Sequence, residues 1–251
     1  MLTLISRHPK YSPNSEVRDE ALFRSLVMNF ALQGVSVATF DEAVFEHHPP
    51  QLEKSTLILS MARSEAALQA LAAAEESGVP VLNSPRALQK AQRTDFQQWF
   101  AESGHAAKHW HTSELTPDRK ATLLFPLWWK RNNTATTSAN DVQFVEHLAQ
   151  LDAILSEHAN EDALLMEHID GQLVKFYGVV GTNFFHAEPH SPKGFSKFGH
   201  EQHNHHKDLA LSSPIWKQTL RTMHTAATQV AQQSGFSIYG GDAILREDGT
   251  F

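Results

Sequence analysis

The chain has 251 residues, 41% of them hydrophobic and 20% charged, which supports a substantial core and about one to three compact units. A formal net charge of -7 argues against a broad nucleic-acid binder, which would present a basic stripe to the phosphate backbone. The absence of cysteine excludes disulfides, a thiolate nucleophile and cysteine-bound zinc, and it suits the cytoplasm. No apolar run reaches the roughly 18 residues of a membrane span, and neither a signal peptide nor an internal repeat is expected.

From the N-terminus, Leu2 to Ser6 reads as a strand and His8 to Ser15 as a polar loop. The stretch from Ser6 to Ser15 contains no glycine, so the G-x-G-x-x-G turn of a Rossmann-type dehydrogenase is missing where it would be needed. Asn14 or Ser15 is placed to cap a helix running to about Gln33, with Val17, Ala21, Leu22, Leu26, Val27 and Phe30 as its apolar face and Gly34 as its stop. Val35 to Phe40 is a second strand, and His47-His-Pro-Pro50 breaks the pattern. Thr56 to Met61 is a third strand, followed by an alanine-rich helix from about Ser64 to Ser77 and a fourth strand from Val79 to Leu82. Strands alternating with helices predict a small parallel sheet, a preceding α/β domain over residues 1–83.

A second region, 84–251, opens at Asn83-Ser-Pro-Arg86 with a short helix to about Ala91 and another from about Thr94 to Ser103. His109 to Thr112 is a short strand, Thr116-Pro-Asp118 starts a helix or turn, and Leu123 to Lys130 is an apolar strand ending on a cation. Asn132 to Asn140 is small and polar, either a surface loop or a flap. Val142 to Val145 is a strand, and the helix after it, to about His158, buries Leu148, Leu151, Ile154 and Leu155. Leu164 to Met166 and Leu173 to Val180 are strands joined by Glu167-His-Ile-Asp-Gly171, Thr182 to Ala187 continues the sheet, and His190 to Lys207 is polar and irregular. Ser212 or Ser213 caps a long helix that begins at Pro214 and ends at Gly235. Phe236 to Leu245 is the last full strand, and Asp248-Gly249 signals a tight hairpin.

Several pieces of the second region carry chemistry. The joint after Met166 exposes backbone N–H and C=O groups beside an apolar wall, which suits a flat heterocycle read along its edge. Lys130 ends an apolar strand. Lys175 shares a strand face with Leu173 and Tyr177, where a cation wants an anion. Asp242 stands in an aliphatic strand, where a carboxylate must be paired, exposed or ligating. His200-Glu-Gln-His-Asn-His-His206 either chelates zinc or nickel or is an ordinary cluster in a chain with 16 histidines.

The order and spacing of these pieces, from about Asn83 to Phe251, resemble the ATP-grasp superfamily, the fold of glutathione synthetase-like and D-alanine–D-alanine ligase-like enzymes and of some inositol phosphate kinases. The chain is similar in particular to bacterial ATP-grasp proteins with an E-H-I-D-G-x-x-x-K-F-Y joint and a Y-G-G-D strand. The resemblance implies an α/β chain in which a small parallel-sheet domain precedes an ATP-grasp unit of two α+β lobes, a lid lobe over about 108–166 and a C-terminal lobe over about 167–251. It implies ATP and Mg²⁺ as cofactors. Lys130 would meet the α- and β-phosphates, and Arg93, or else Lys90, would add a phosphate contact. The Glu167 carbonyl and the Ile169 amide, on either side of His168, would meet the adenine edge. Met166 or Leu165 would pack on the base, and Asp170 would accept from a ribose hydroxyl. Lys175 would stabilise charge on the migrating phosphoryl group, and Asp242 would ligate Mg²⁺. Residues 132–140 occupy the place of the family's flexible loop. In the family the strand after the last hairpin carries a second acidic ligand and an asparagine, so this chain is expected to stop before that strand.

The activity the resemblance implies is an ATP- and Mg²⁺-dependent carboxylate–amine or carboxylate–thiol ligase acting through an acyl phosphate, which needs no protein nucleophile. Two alternatives stay open. One is a small-molecule kinase of the inositol phosphate type, with Lys193, Lys197, His200, His203, His205, His206 and Lys207 as a basic acceptor pocket. The other is a nucleotide-binding protein without turnover. The expected partner is a small anionic acceptor, with no nucleic acid and no membrane.

Overall fold

The computed structural model describes residues 1–133, 137–191, 193–203 and 214–251. They form two compact units, Met1–Lys90 with Ser234–Ile238, and Ala91–Gln233 with Tyr239–Phe251.

The first unit is the parallel sheet that the alternation of strands and helices predicts. Its strands β1 (Leu2–Ile5), β2 (Val37–Phe40), β3 (Leu57–Ser60) and β4 (Val81–Leu82) lie in the order β2-β1-β3-β4. β1 is the centre of this order, pairing in parallel with β2 through Leu2↔Val37 and with β3 through Leu2↔Leu57. The helices are α1 (Glu16–Leu32), α2 (Glu42–Phe45), α3 (Glu65–Glu76) and α4 (Pro85–Lys90). Ser64 caps α3 by accepting from the Ala67 amide, and Gly78, at φ 92°, takes the left-handed turn after it that a side chain would resist. Ile5, Ile58, Leu71, Val81 and Phe45 of α2 form the core. The Asn83 side chain binds the returning segment, accepting from Ser237 and Ile238 amides at 2.9 and 2.7 Å and donating to the Ile238 carbonyl at 2.6 Å.

α1 covers its expected apolar face only in part. None of its residues is buried, and Val17 and Leu22 are 79% and 52% exposed. Phe23, Leu26, Val27 and Phe30, at helical spacing, are half-buried, while Val17, Ala21 and Leu22 of the expected face are exposed. Ser15 holds the cap position without a side-chain cap bond. The short α2 has no counterpart among the expected elements; Asp41 caps it by accepting from the Ala43 amide.

The second unit carries two antiparallel sheets. One, in the order β5-β8-β6-β7, contains β5 (His109–His111), β6 (Leu127–Arg131), β7 (Val142–Val145) and β8 (Ala163–Glu167). The other, in the order β10-β9-β11, contains β9 (Gln172–Val179), β10 (Phe185–Pro189) and β11 (Ile238–Leu245). Its helices are α5 (Arg93–Glu102), α6 (Pro117–Ala121), α7 (Leu148–Glu157) and α8 (Pro214–Ser234). β6 starts later than the apolar run suggests, because Pro126 has no N–H for the ladder. The run after Gly181 likewise becomes a strand only at Phe185, paired antiparallel to β9 through Phe185↔Gly178. Residues 134–136 of the polar loop, His205, His206 and Lys207 of the basic segment, and the expected caps Ser212 and Ser213 lie outside the described residues. The downstream end of that loop is anchored: Asp141, fully buried, accepts from the Thr137 and Ser138 amides at 2.7 and 2.9 Å and meets Arg131 at 3.0 Å.

Candidate functional site

Strand alternation sorts the second unit into a core side and a cavity side. In β6, Leu127 and Trp129 turn inward and pack with Leu151 and Ile154 of α7 and with Leu165 of β8. Trp128 and Lys130 therefore face the other way. Trp128 joins Val142, Leu164 and Met166 in a second apolar cluster. That cluster walls a cavity of about 510 Å³, inside the ~300–1,000 Å³ range of small-molecule sites.

Of the residues first assigned to nucleotide, phosphoryl group or Mg²⁺, Arg93, Lys130, Met166, Glu167, His168, Ile169, Lys175 and Asp242 line this cavity, whereas the alternatives Lys90 and Leu165 do not. Asp170 is exposed and is not among the lining residues. The joint is held from several sides. Trp128 Nε1 donates to His168 Nδ1 at 3.1 Å, and the His168 amide donates to the Pro126 carbonyl at 3.3 Å. The Glu167 carboxylate is engaged structurally, since Oε1 accepts from the Lys108 amide at 2.8 Å while the Glu167 amide donates to the Lys108 carbonyl at 2.9 Å. The next amide in the joint, that of Ile169, makes no hydrogen bond among the described residues.

The cations of the cavity fall into two states. Lys175 lies 3.2 Å from Glu201 Oε1 and 3.6 Å from Asp242 Oδ1. Burial pulls its pKa down, but the Asp242 and Glu201 carboxylates outweigh that and the net shift is upward. Lys130 is the opposite case. Burial first, and the Arg93 guanidinium second, lower its pKa from 10.5 to about 8, with Asp242 acting in the other direction. Its ammonium makes no hydrogen bond among the described residues and lies 6.0 Å from the centre of the Trp128 ring. Arg93, at the start of α5, is held by its Nε donating to the Arg131 carbonyl at 2.9 Å, and burial lowers its pKa too. The arrangement can neutralise an anion at the Lys130 end and offers an exposed carboxylate, Asp242, beside it.

Two further lining residues, Trp128 and Glu201, escape sequence reasoning. Trp128 is legible in principle, because alternation alone puts it on the face of Lys130. Glu201 stands inside the histidine cluster, and an irregular segment offers no period from which to place it. His200 also lines the cavity, its Nε2 buried without a hydrogen-bond partner, and burial lowers its pKa. His200 and His203 pack edge-on against Trp128 at 6.2 and 5.4 Å, and His203 stacks on Phe144 at 4.0 Å. Among the described residues no three His, Asp or Glu side chains are grouped to hold a metal ion. Nor is any described helix long and apolar enough to cross a membrane.

No protein-family model matches the sequence, and no curated protein sequence matches it significantly. Solved structures do match, over nearly the whole chain. They include D-alanine–D-alanine ligase from Bacillus anthracis complexed with ATP, at TM-score 0.66 and 13% identity, covering 99% of this chain and 82% of that one. The VanG D-Ala:D-Ser ligase from Enterococcus faecalis aligns at TM-score 0.67 and 12% identity, covering 99% and 87%. A RimK-domain ATP-grasp protein from Sphaerobacter thermophilus aligns at TM-score 0.62 and 18% identity, covering 99% and 88%. The chain therefore has the ATP-grasp fold, a mixed α/β architecture.

Proposed function

We propose that the chain is an ATP- and Mg²⁺-dependent ligase that activates a carboxylate as an acyl phosphate. An acceptor carboxylate oxygen takes the γ-phosphoryl group and ADP leaves. An amine or thiol then adds to the acyl carbon, and inorganic phosphate is expelled as the amide or thioester forms. The observation that carries this reading is Lys130: a desolvated ammonium beside a second cation, on the same cavity as a joint with an open backbone amide. Such a pair is unfavourable until an anion lies between or beside them.

In this reading Ile169 N–H and the backbone around His168 read the adenine edge, with Met166 and Trp128 as apolar walls. Lys130 and Arg93 hold phosphate oxygens, and Lys175 balances charge on the group in transfer. Asp242 would hold Mg²⁺. Its side chain is 62% exposed on the cavity, and one protein carboxylate with phosphate and water oxygens is enough for that ion. Asp170, away from the lining, keeps its ribose role only as the outermost contact. Transfer to a phosphorylated or carboxylated alcohol is the second reading, favoured by Lys197 and His200 on the cavity wall. The product distinguishes the two: ADP with phosphate and a new amide or thioester, or ADP with a phosphorylated acceptor.

Calorimetric titration with ATP and ADP, with and without Mg²⁺, tests the nucleotide site. Saturable binding is expected, weakened about tenfold or more in Lys130→Ala with the circular dichroism spectrum unchanged. Equal affinity in the variant, or no binding at millimolar nucleotide, would remove the basis of the proposal.

A further inference from the structure

The first unit has a charged cluster that the nucleotide reading does not use. β1 leads by way of α1 to β2 on one side, while β3 lies on its other side, so the strand order reverses between β1 and β3. In open parallel sheets that reversal leaves a crevice at the carboxyl ends of the two strands, where ligands are bound. The two loops leaving this point carry Arg7 and Arg63. Glu42, fully buried, clamps the loops together: one carboxylate oxygen accepts the His8 amide at 2.6 Å, and the other accepts the Arg63 and Ser64 amides, each at 2.6 Å.

The clamp uses the Glu42 carboxylate on backbone groups and leaves the guanidiniums unequal. Arg7 is occupied, donating from Nε to the Met61 carbonyl at 3.2 Å and from Nη1 to Asp19 at 3.0 Å. Arg63 is not. It donates once, from Nη1 to the Ala62 carbonyl at 2.9 Å, and among the described residues it has no other side-chain hydrogen bond and no ion pair. A guanidinium has five N–H donors in a planar fork, so most of this one is unused. Burial, with repulsion from Arg7, lowers its pKa to about 10, against the pull of Glu42 and Asp19. Of the carboxylates around it, Asp41 caps α2 and accepts from Ser6, and Glu46 pairs with Lys10 at 3.5 Å.

We propose that the crevice between β1 and β3 binds an oxyanion, the carboxylate or phosphate group of a small molecule, on the fork of Arg63 with Arg7 beside it. This inference rests on the first unit alone and does not depend on the nucleotide site.

The probes are inorganic phosphate and succinate, titrated into the whole chain and followed by calorimetry and by the ¹⁵N signal of arginine Nε–H groups. Saturable binding in the crevice is expected, with the Arg63 Nε–H resonance moving along the binding curve. Arg63→Gln is expected to weaken it about tenfold or more while ATP binds as in the parent. Arg63→Lys, which keeps the charge and guards against a folding defect, is expected to lose succinate more than phosphate, because a fork suits a carboxylate and a point charge does not. The tighter of the two anions identifies the ligand group. Failure of both anions to saturate, a stationary Arg63 signal, or equal affinity in Arg63→Gln would overturn the proposal. Lys130→Ala is expected to leave the Arg63 resonance shift untouched, so anion taken up at the nucleotide cavity is not mistaken for this site.

Discussion

Lys130 destabilises the chain that presents it. Its pKa falls from 10.5 to about 8 on folding, so between those values the unfolded chain binds more protons, and stability rises with pH. Below that window the penalty is present in full, and by the usual conversion it reaches up to about 3 kcal/mol. Lys130→Met should therefore melt higher than the parent at pH 7, with the advantage vanishing once lysine titrates in the unfolded chain as well. Thermal scans of both proteins at neutral and strongly alkaline pH read this directly, and a less stable variant at pH 7 would contradict it. Lys175, whose pKa is raised by Asp242 and Glu201 against the effect of burial, has the opposite sign. Its charge interactions help the fold below its unfolded pKa and are lost only as pH rises through the folded one. The two lysines share a strand-borne position and a cavity, yet one is balanced by carboxylates and the other awaits an anion.

At the scale of elements, the sheet of β9, β10 and β11 is built from glycines set against aromatic rings. A Cβ on Gly178 would lie 2.3 Å from Tyr239 Cζ, and one on Gly241 would lie 2.7 Å from Phe176 Cζ. Tyr239 can yield only by disturbing the 2.8 Å hydrogen bond that its hydroxyl shares with Thr228 of α8. Gly178→Ala is expected to cost about 1–3 kcal/mol through overpacking. A urea titration should show a lower midpoint at unchanged slope, and an unchanged midpoint would mean that the sheet repacks freely. These glycines place the backbones that carry Lys175 and Asp242, so their effect on the site is one of position and not of contact.

For the whole molecule, the cavity belongs entirely to the second unit and the Arg63 crevice entirely to the first. A ligand stabilises the structure that binds it by mass action, roughly 2.7 kcal/mol at a hundredfold excess over its dissociation constant. ATP is therefore expected to slow amide exchange most in 91–233 and 239–251, around β6, β8 and the joint. Uniform protection of both units would show that they open together, and protection confined to 1–90 would contradict the assignment of the nucleotide site.

Much of the candidate site is legible in the amino-acid sequence, because its signals are local. Alternation along Leu127-Trp-Trp-Lys-Arg131 sets Trp128 and Lys130 on one face, and the polar break after Met166 marks the joint. Pro126, Gly171 and the glycines beside Asp242 punctuate strands whose backbone positions follow from their own chemistry. What the sequence by itself determined was this succession of elements and the side each strand residue takes. The tertiary structure alone decided which charges meet. Glu201 reaches Lys175 from an irregular segment, Arg93 approaches Lys130 from a helix in another part of the chain, and Glu42 joins two loops through backbone amides that carry no sequence signature. It also decided which apolar residues of α1 stay exposed, Val17, Leu22, Met28 and Leu32 among them. Periodicity is a property of neighbours along the chain, whereas burial and electrostatic pairing depend on what the fold brings within a few ångströms.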